Sequence, residues 1–410
     1  MQLCAQRKIP KMMFDDIQTT PLFGANLVAS LFRQDSRADK IDLGLGVYKN
    51  DSGNTPVMAA VKTAEARLVQ QQTTKTYQGL LGDRQFCELM LNMVLGPKVD
   101  SSKIAVLQTP GGVAALSLCF QLIRAVRPEV TVWISDPSWA NHAPVIGHTG
   151  LKVSYFPYYN HADASLDFSG MCKSLTSAET GDIILLQASC HNPTGVDLSP
   201  QQWDRVIKIC QDRGLVPVFD VAYQGFGLGL DADVYGPRTA LNQLPEIILT
   251  ATCSKSFSVY RDRVGIASVL CGSEEKVSPT LSLMSRLANV TYAMPADHPA
   301  AVVKEILSDP ALYQTWLEEL TAMQARTLNL RNALTKALEF STQSDRFSYI
   351  EHNRGMFSLL PLNDQQIDNL RKQYGIYLVK GGRINLAGLQ ISQIERFADA
   401  IASVLGSQKG

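Results

Sequence analysis

The chain has 410 residues, 38 Lys plus Arg against 38 Asp plus Glu, and 45% hydrophobic residues. That length exceeds one simple core, and the even charge balance excludes a disordered polyelectrolyte or a global field for nucleic acid or anionic membrane. No apolar run approaches the roughly 20 residues of a membrane span.

The opening stretch, MQLCAQRKIPKMMFDD, lacks the apolar centre of a signal peptide, so a cytoplasmic protein is expected, with Met12 or Met13 as alternative starts. Eight cysteines (Cys4, Cys87, Cys119, Cys172, Cys190, Cys210, Cys253, Cys271) form no CxxC pair. Most lie in apolar runs, which reads as buried reduced thiols in a reducing compartment.

From about residue 103, short apolar strands alternate with amphipathic helices. KIAVLQTPGG reads as a strand and glycine turn, and VAALSLCFQLIRAV as the helix after it. VTVWISDPSW, GDIILLQASCHNPTG, LVPVFDVAY and EIILTATCSK are further strands, apolar on both faces as in a helix-covered parallel sheet. SPQQWDRVIKICQDRG predicts a helix with Ser199 as N-cap, Pro200 in the first turn and Gly214 as the stop. Beyond residue 298 long helical stretches take over, followed by strand candidates MFSLLPL and GRINLAGL and a closing helix. The expected fold is α/β: a large domain over 51–300 with a mostly parallel sheet, and a smaller α+β domain from 1–50 and 301–410.

Polar groups recur where these strands end: Gly111-Gly112, Asp136-Pro137-Ser138-Trp139, His191-Asn192-Pro193-Thr194-Gly195, Asp220-Val221-Ala222-Tyr223, and Lys255. Ligands of open α/β sheets bind at the carboxyl ends of strands, so these loops should converge. Each alone is weak: NPTG reads first as a turn, Asp220 as a helix cap, and a double glycine before a helix as a generic anion cradle. Together they supply an amine, a carboxylate, phenol and amide donors and a phosphate nest. That is the set pyridoxal phosphate requires.

The chain resembles the class I aminotransferases of the pyridoxal phosphate fold type I family, in the aspartate and aromatic branch. The likeness is carried by DLGLGVYKND, TYQGLLG, QTPGGVAAL, DPSWANH, HNPTGVDLS, FDVAYQGFG, SKSFSVYRDRVG, GMFSLL and GRINLAGL, in that order from about residue 14 to the C-terminus. It implies a seven-stranded-type sheet, pyridoxal 5′-phosphate as cofactor, an amino acid and a 2-oxo acid as substrates, and a homodimer with shared active sites. Neither nucleic acid nor membrane is an expected partner, and no metal is expected.

By that resemblance Lys255 forms the Schiff base and later moves the substrate's proton. Asp220 pairs with the pyridine nitrogen, and Tyr223 and Asn192 donate to the 3′ oxygen. His142 buttresses Asp220, and Trp139 stacks on the ring. Gly111, Gly112, Thr252, Ser254 and Arg263 hold the phosphate, with Tyr77 reaching that of the neighbouring subunit. Arg383 grips the substrate α-carboxylate through a fork that lysine cannot supply, and Gly46 lets backbone approach it. Asn192 and Trp139 also face the substrate. Arg261 has no part.

Two positions depart from the family pattern. Val113 and Ala114 follow the double glycine where a threonine is usual, costing one neutral hydrogen bond of about 0.5–1.5 kcal/mol. Asn289, three before Tyr292, stands where dicarboxylate-using relatives carry an arginine that acts in the partner's site. An amide forfeits a charge-assisted bond of about 1.5–3 kcal/mol, and Arg286 lies one step away on the helix to compensate only from a different direction. An aminotransferase for aromatic or other uncharged side chains, working by a ping-pong cycle, is therefore expected. The alternatives are an aspartate aminotransferase that tolerates Asn289 and a lyase acting at Cβ with the same Lys255 and Asp220. A transcription regulator would need an N-terminal DNA-binding module, for which the residues before Phe14 leave no room.

Overall fold

The computed structural model describes residues 12–19, 21–97 and 99–406; Cys4 lies outside them. The central sheet has seven strands: β1 (Ile104–Thr109), β2 (Thr131–Asp136), β3 (Lys152–Pro157), β4 (Ile183–Gln187), β5 (Val216–Val221), β6 (Ile247–Thr252) and β7 (Gly265–Leu270). Their spatial order is β1-β7-β6-β5-β4-β2-β3. Pairings among β3, β2, β4, β5 and β6 are parallel, while β7 runs antiparallel to both β6 and β1. The predicted mostly parallel α/β sheet is thus present.

Every residue of β6 is buried, and β5 is buried from Pro217 onward. These continuous apolar runs exist because helices cover both faces. One core lies over Phe219, Leu249, Ile266 and Trp203; another, on the opposite face, gathers Leu118, Phe120, Val132, Ile134 and Val218. The helix Pro200–Arg213 starts and stops where the sequence predicts. Ser199 and Gln202 form a reciprocal capping box, and Gly214 ends the helix at φ +65°, a conformation that glycine adopts without strain.

A further hydrophobic cluster joins Ile41 and Leu43 to Leu330, Leu334, Leu338, Phe347, Ile384, Phe397 and Ile401. The two C-terminal strand candidates pair there, Phe357–Leu359 antiparallel to Arg383–Asn385. Ile41–Asp42 pairs in parallel with Ile376–Tyr377, tying the early chain to the late one. The 33-residue helix Pro310–Thr342 serves two cores: Trp316 and Leu320 pack with the sheet, Leu330 and Leu334 with the terminal cluster. Among the described residues no helix is long and apolar enough to cross a membrane.

Candidate active site

The carboxyl ends of β2, β4, β5 and β6 carry the chemistry, because each parallel strand delivers its following loop to the same edge. A cavity of about 160 Å³ opens there, lined by Gly112, Val113, Trp139, Gln187, Asn192, Asp220, Tyr223, Thr252, Ser254, Lys255, Tyr260 and Arg263.

Asp220 is the penultimate residue of β5 and is buried. His142 Nε2 lies 3.2 Å from its Oδ2, and Ser138 Oγ lies 2.8 Å from His142 Nδ1. Thr250 Oγ1 approaches the other oxygen at 3.4 Å. This chain of contacts holds the carboxylate in one orientation, at a wall of the cavity. Trp139 meets His142 edge-on at 5.2 Å between centroids, so the indole and the histidine brace each other.

Lys255 follows β6 by three residues, and its ammonium lies 4.7 Å from the centroid of the Tyr223 ring. Burial pushes the amine's pKa down to about 8; nearby Asp220 opposes that fall and Arg263 adds to it. A lysine so placed holds an appreciable neutral fraction near physiological pH, which is what a nucleophilic amine or a proton-transfer base needs. The Tyr223 phenol is pushed up by burial, so it stays a neutral hydrogen-bond donor.

Beside Lys255 the groups suit an anion. Gly111, at φ +83°, precedes the helix Gly112–Val126, whose first intrahelical donor is Ala115. The amides of Gly112, Val113 and Ala114 therefore lack intrahelical partners, at the positive end of the helix dipole. A Cβ built on Gly111 would sit 2.7 Å from Nη2 of Arg263, so only glycine admits the guanidinium this close. Arg263 Nη1 donates to Ser254 Oγ at 3.3 Å, and Ser254 Oγ lies 3.0 Å from Thr252 Oγ1. These residues fit a phosphate: free amides, two hydroxyls and a forked cation converge on one spot.

Arg383 lines an adjoining cavity of about 400 Å³ that shares Trp139 and Asn192 with the first. Its Nη1 donates to Asn192 Oδ1 at 3.3 Å, its Nη2 to the Gly44 carbonyl, and its guanidinium lies 4.6 Å from the Phe357 ring centroid. Nε is buried without a partner. Burial also lowers the guanidinium's pKa. A partly buried cation with a spare donor suits a carboxylate ligand.

Other sequence-predicted residues lie elsewhere. Gly46 sits under Phe357, whose ring a Cβ there would meet at 2.9 Å; the backbone oxygen that Arg383 bonds belongs to Gly44. Tyr77 is 88% exposed, and Asn289 and Arg286 lie on the exposed face of the helix Val277–Tyr292, so none of the three lines this chain's own cavity. The Gln78 amide donates to Met294 Sδ at 3.2 Å, which sets the Tyr77 segment against the end of that helix. Two polar cavity residues were not among those expected from the sequence. Gln187 ends the apolar run IILLQ, and that polar final residue was its only signal; Tyr260 lies within SKSFSVYRDRVG itself, and its hydroxyl accepts from the Tyr48 amide at 2.9 Å.

An α/β sheet of this order, with an amine, a buried carboxylate and an anion nest at its edge, defines a fold type I pyridoxal phosphate enzyme. Residues 38–401 match the family described as aminotransferase class I and II. The aromatic-amino-acid aminotransferase of Pseudomonas aeruginosa is 43% identical over 376 residues, 91% of this chain and 94% of that one. The aspartate aminotransferase of Escherichia coli is 36% identical over 396 residues, 96% and 100% of the two chains. Among solved structures, the aromatic-amino-acid aminotransferase of Burkholderia pseudomallei, covalently bound to pyridoxal phosphate, superimposes with a TM-score of 0.93 at 35% identity, covering 96% of this chain and 100% of that one. The chain belongs to the class I and II aminotransferases. It is a pyridoxal phosphate-dependent aminotransferase.

Proposed function

We propose that the enzyme moves the amino group of an L-amino acid with an aromatic or other uncharged side chain to a 2-oxo acid in two alternating half-reactions. The observation that carries this reading is the pairing of a partly buried Arg383, whose Nε lacks a partner, with an exposed Asn289 where a second arginine would serve a dicarboxylate. One carboxylate receives a charged fork; the substrate's far end does not. Similarity to aromatic-amino-acid aminotransferases at 43% and 40% identity supports the same choice. Aspartate aminotransferases are also relatives, so a dicarboxylate preference is the competing outcome.

In this reading Lys255 holds the cofactor covalently, and Gly111, Gly112, Thr252, Ser254 and Arg263 hold its phosphate. Trp139 packs on the ring, and Asn192 and Tyr223 donate to its 3′ oxygen. Asp220, fixed by His142, keeps a proton on the ring nitrogen. When bound, pyridoxal phosphate supplies an electron-poor ring that takes up the charge left when the substrate Cα is deprotonated. Arg383 orients the substrate through its α-carboxylate, which presents the Cα to Lys255. The Lys255 amine, once free, would remove the proton from the substrate Cα and return it to the cofactor's C4′ carbon, two bonds away across the nitrogen.

A homodimer belongs to the same reading. Tyr77, Val290, Leu80 and Leu81 are exposed around the junction of the Tyr77 segment with the Asn289 helix, where a second copy would bury them and receive Tyr77 and Asn289 in its own site. The seven described cysteines are free thiols, which fits the cytoplasm. The test is a half-reaction screen, adding single amino acids to the pyridoxal form and following its absorbance. Phenylalanine and tyrosine are expected to react with a higher second-order rate constant than aspartate; the reverse order overturns the substrate assignment.

A further inference from the structure

We propose that Gln187 is a positioning residue whose carboxamide clamps the peptide groups of Asn192 and so fixes the Asn192 side chain for the cofactor. The Asn192 amide donates to Gln187 Oε1 at 2.8 Å, and Gln187 Nε2 donates to the Asn192 carbonyl at 3.0 Å. One side chain thus satisfies both the donor and the acceptor of a residue in a loop, where no ladder partner exists to do so. Gln187 is the last residue of β4 and stands in register beside Asp220 of β5, so the sheet itself anchors the clamp. It lines the same cavity as Asn192, Asp220 and Lys255.

The clamp acts on a side chain with opposed commitments. Asn192 Oδ1 accepts from Arg383, which leaves the amide nitrogen of the same group as its donor. A small rotation of the Asn192 backbone would break the Arg383 contact and displace that donor together. The flanking residues are held separately: His191 lies between Ser135 and Thr194, at 2.9 and 2.8 Å, and its backbone amide donates to Asp197. Gln187 is therefore the group that fixes the Asn192 backbone, while Arg383 and Tyr223 meet its side chain. Glutamate would set an oxygen against the Asn192 carbonyl and a charge beside Asp220. Methionine has the length but neither hydrogen bond.

The inference rests on the reading that Asn192 donates to the cofactor, and the experiment separates the two. In the holoenzyme, the pH midpoint of the bound cofactor's absorbance reports proton affinity at its Schiff base and 3′ oxygen. Losing a donor to that oxygen raises the midpoint by about half to one pH unit, the worth of one hydrogen bond. Q187M is expected to raise the midpoint, N192A to raise it at least as far, and the double variant to match N192A, because Gln187 works through Asn192. If N192A shifts the midpoint and Q187M does not, or if the two shifts add in full, the clamp has no such role. If N192A leaves the midpoint unmoved, the reading of Asn192 falls and this inference with it. Should Q187M fail to fold, Q187L serves in its place, with thermal unfolding of each holoenzyme as the control for a merely structural effect.

Discussion

Replacing Lys255 by methionine should stabilise the cofactor-free protein at neutral pH while abolishing turnover. The amine's pKa falls from 10.5 to about 8 on folding, with burial as the leading cause. A lysine lowered in this way costs stability fully below the folded value, where both states are charged, and the cost vanishes as pH rises through the unfolded value. The 2.5-unit difference between those values is worth about 3 kcal/mol at 1.36 kcal/mol per unit. Water entering through the cavity screens part of it, leaving about 2–3 kcal/mol. Urea unfolding of the two cofactor-free proteins, followed by tryptophan fluorescence, should therefore favour Lys255→Met at pH 7. The advantage should narrow by about 1 kcal/mol at pH 9, where the folded wild type has already shed most of its proton. Equal midpoints at pH 7, or a gap that does not close by pH 9, would refute the idea that the amine is held against its hydration.

Asp220→Asn keeps the shape of the site but removes the charge, and the loss of a charge-assisted bond should reduce turnover about 10- to 100-fold in steady-state assays at saturating cofactor. Because Asp220 opposes the fall in the amine's pKa, the same variant should move the cofactor-free Lys255 titration further down, as read by the pH dependence of its reaction with an amine-directed reagent. Asn289→Arg should raise kcat/KM for aspartate by about tenfold or more while leaving phenylalanine within about twofold, a split that steady-state kinetics on both substrates would detect.

The strand ends were legible because parallel strands bury both faces and release polar residues only at their carboxyl edge; Asp220, Asn192, Thr252 and Lys255 announced themselves that way. Arg383 was legible only through the place of GRINLAGL in the ordered set of family-like segments, since that stretch alone says nothing of the distance the side chain must cross to reach Gly44. Contacts made by a side chain to backbone were not legible, whether near or far along the chain. Tyr260 accepts from Tyr48 across 212 residues, and Gln187 grips Asn192 with an amide that, in sequence, is only the end of an apolar run. That Arg383 donates to the Gly44 carbonyl while the Phe357 ring packs on Gly46 is likewise not written in DLGLGVYKND. Residue types in those stretches do not encode such geometry, which is set by how the folded loops pack at the sheet edge.

The long helix Pro310–Thr342 runs about 50 Å at 1.5 Å per residue, and it is continuous between the core that holds Trp316 and the core that holds Leu330. The segment bearing Arg383 packs against its far half, whereas the near half is seated on the sheet that bears Lys255. The helix thus joins the elements that carry the amine and the guanidinium over a long distance, while the Arg383–Asn192 contact joins them over a short one.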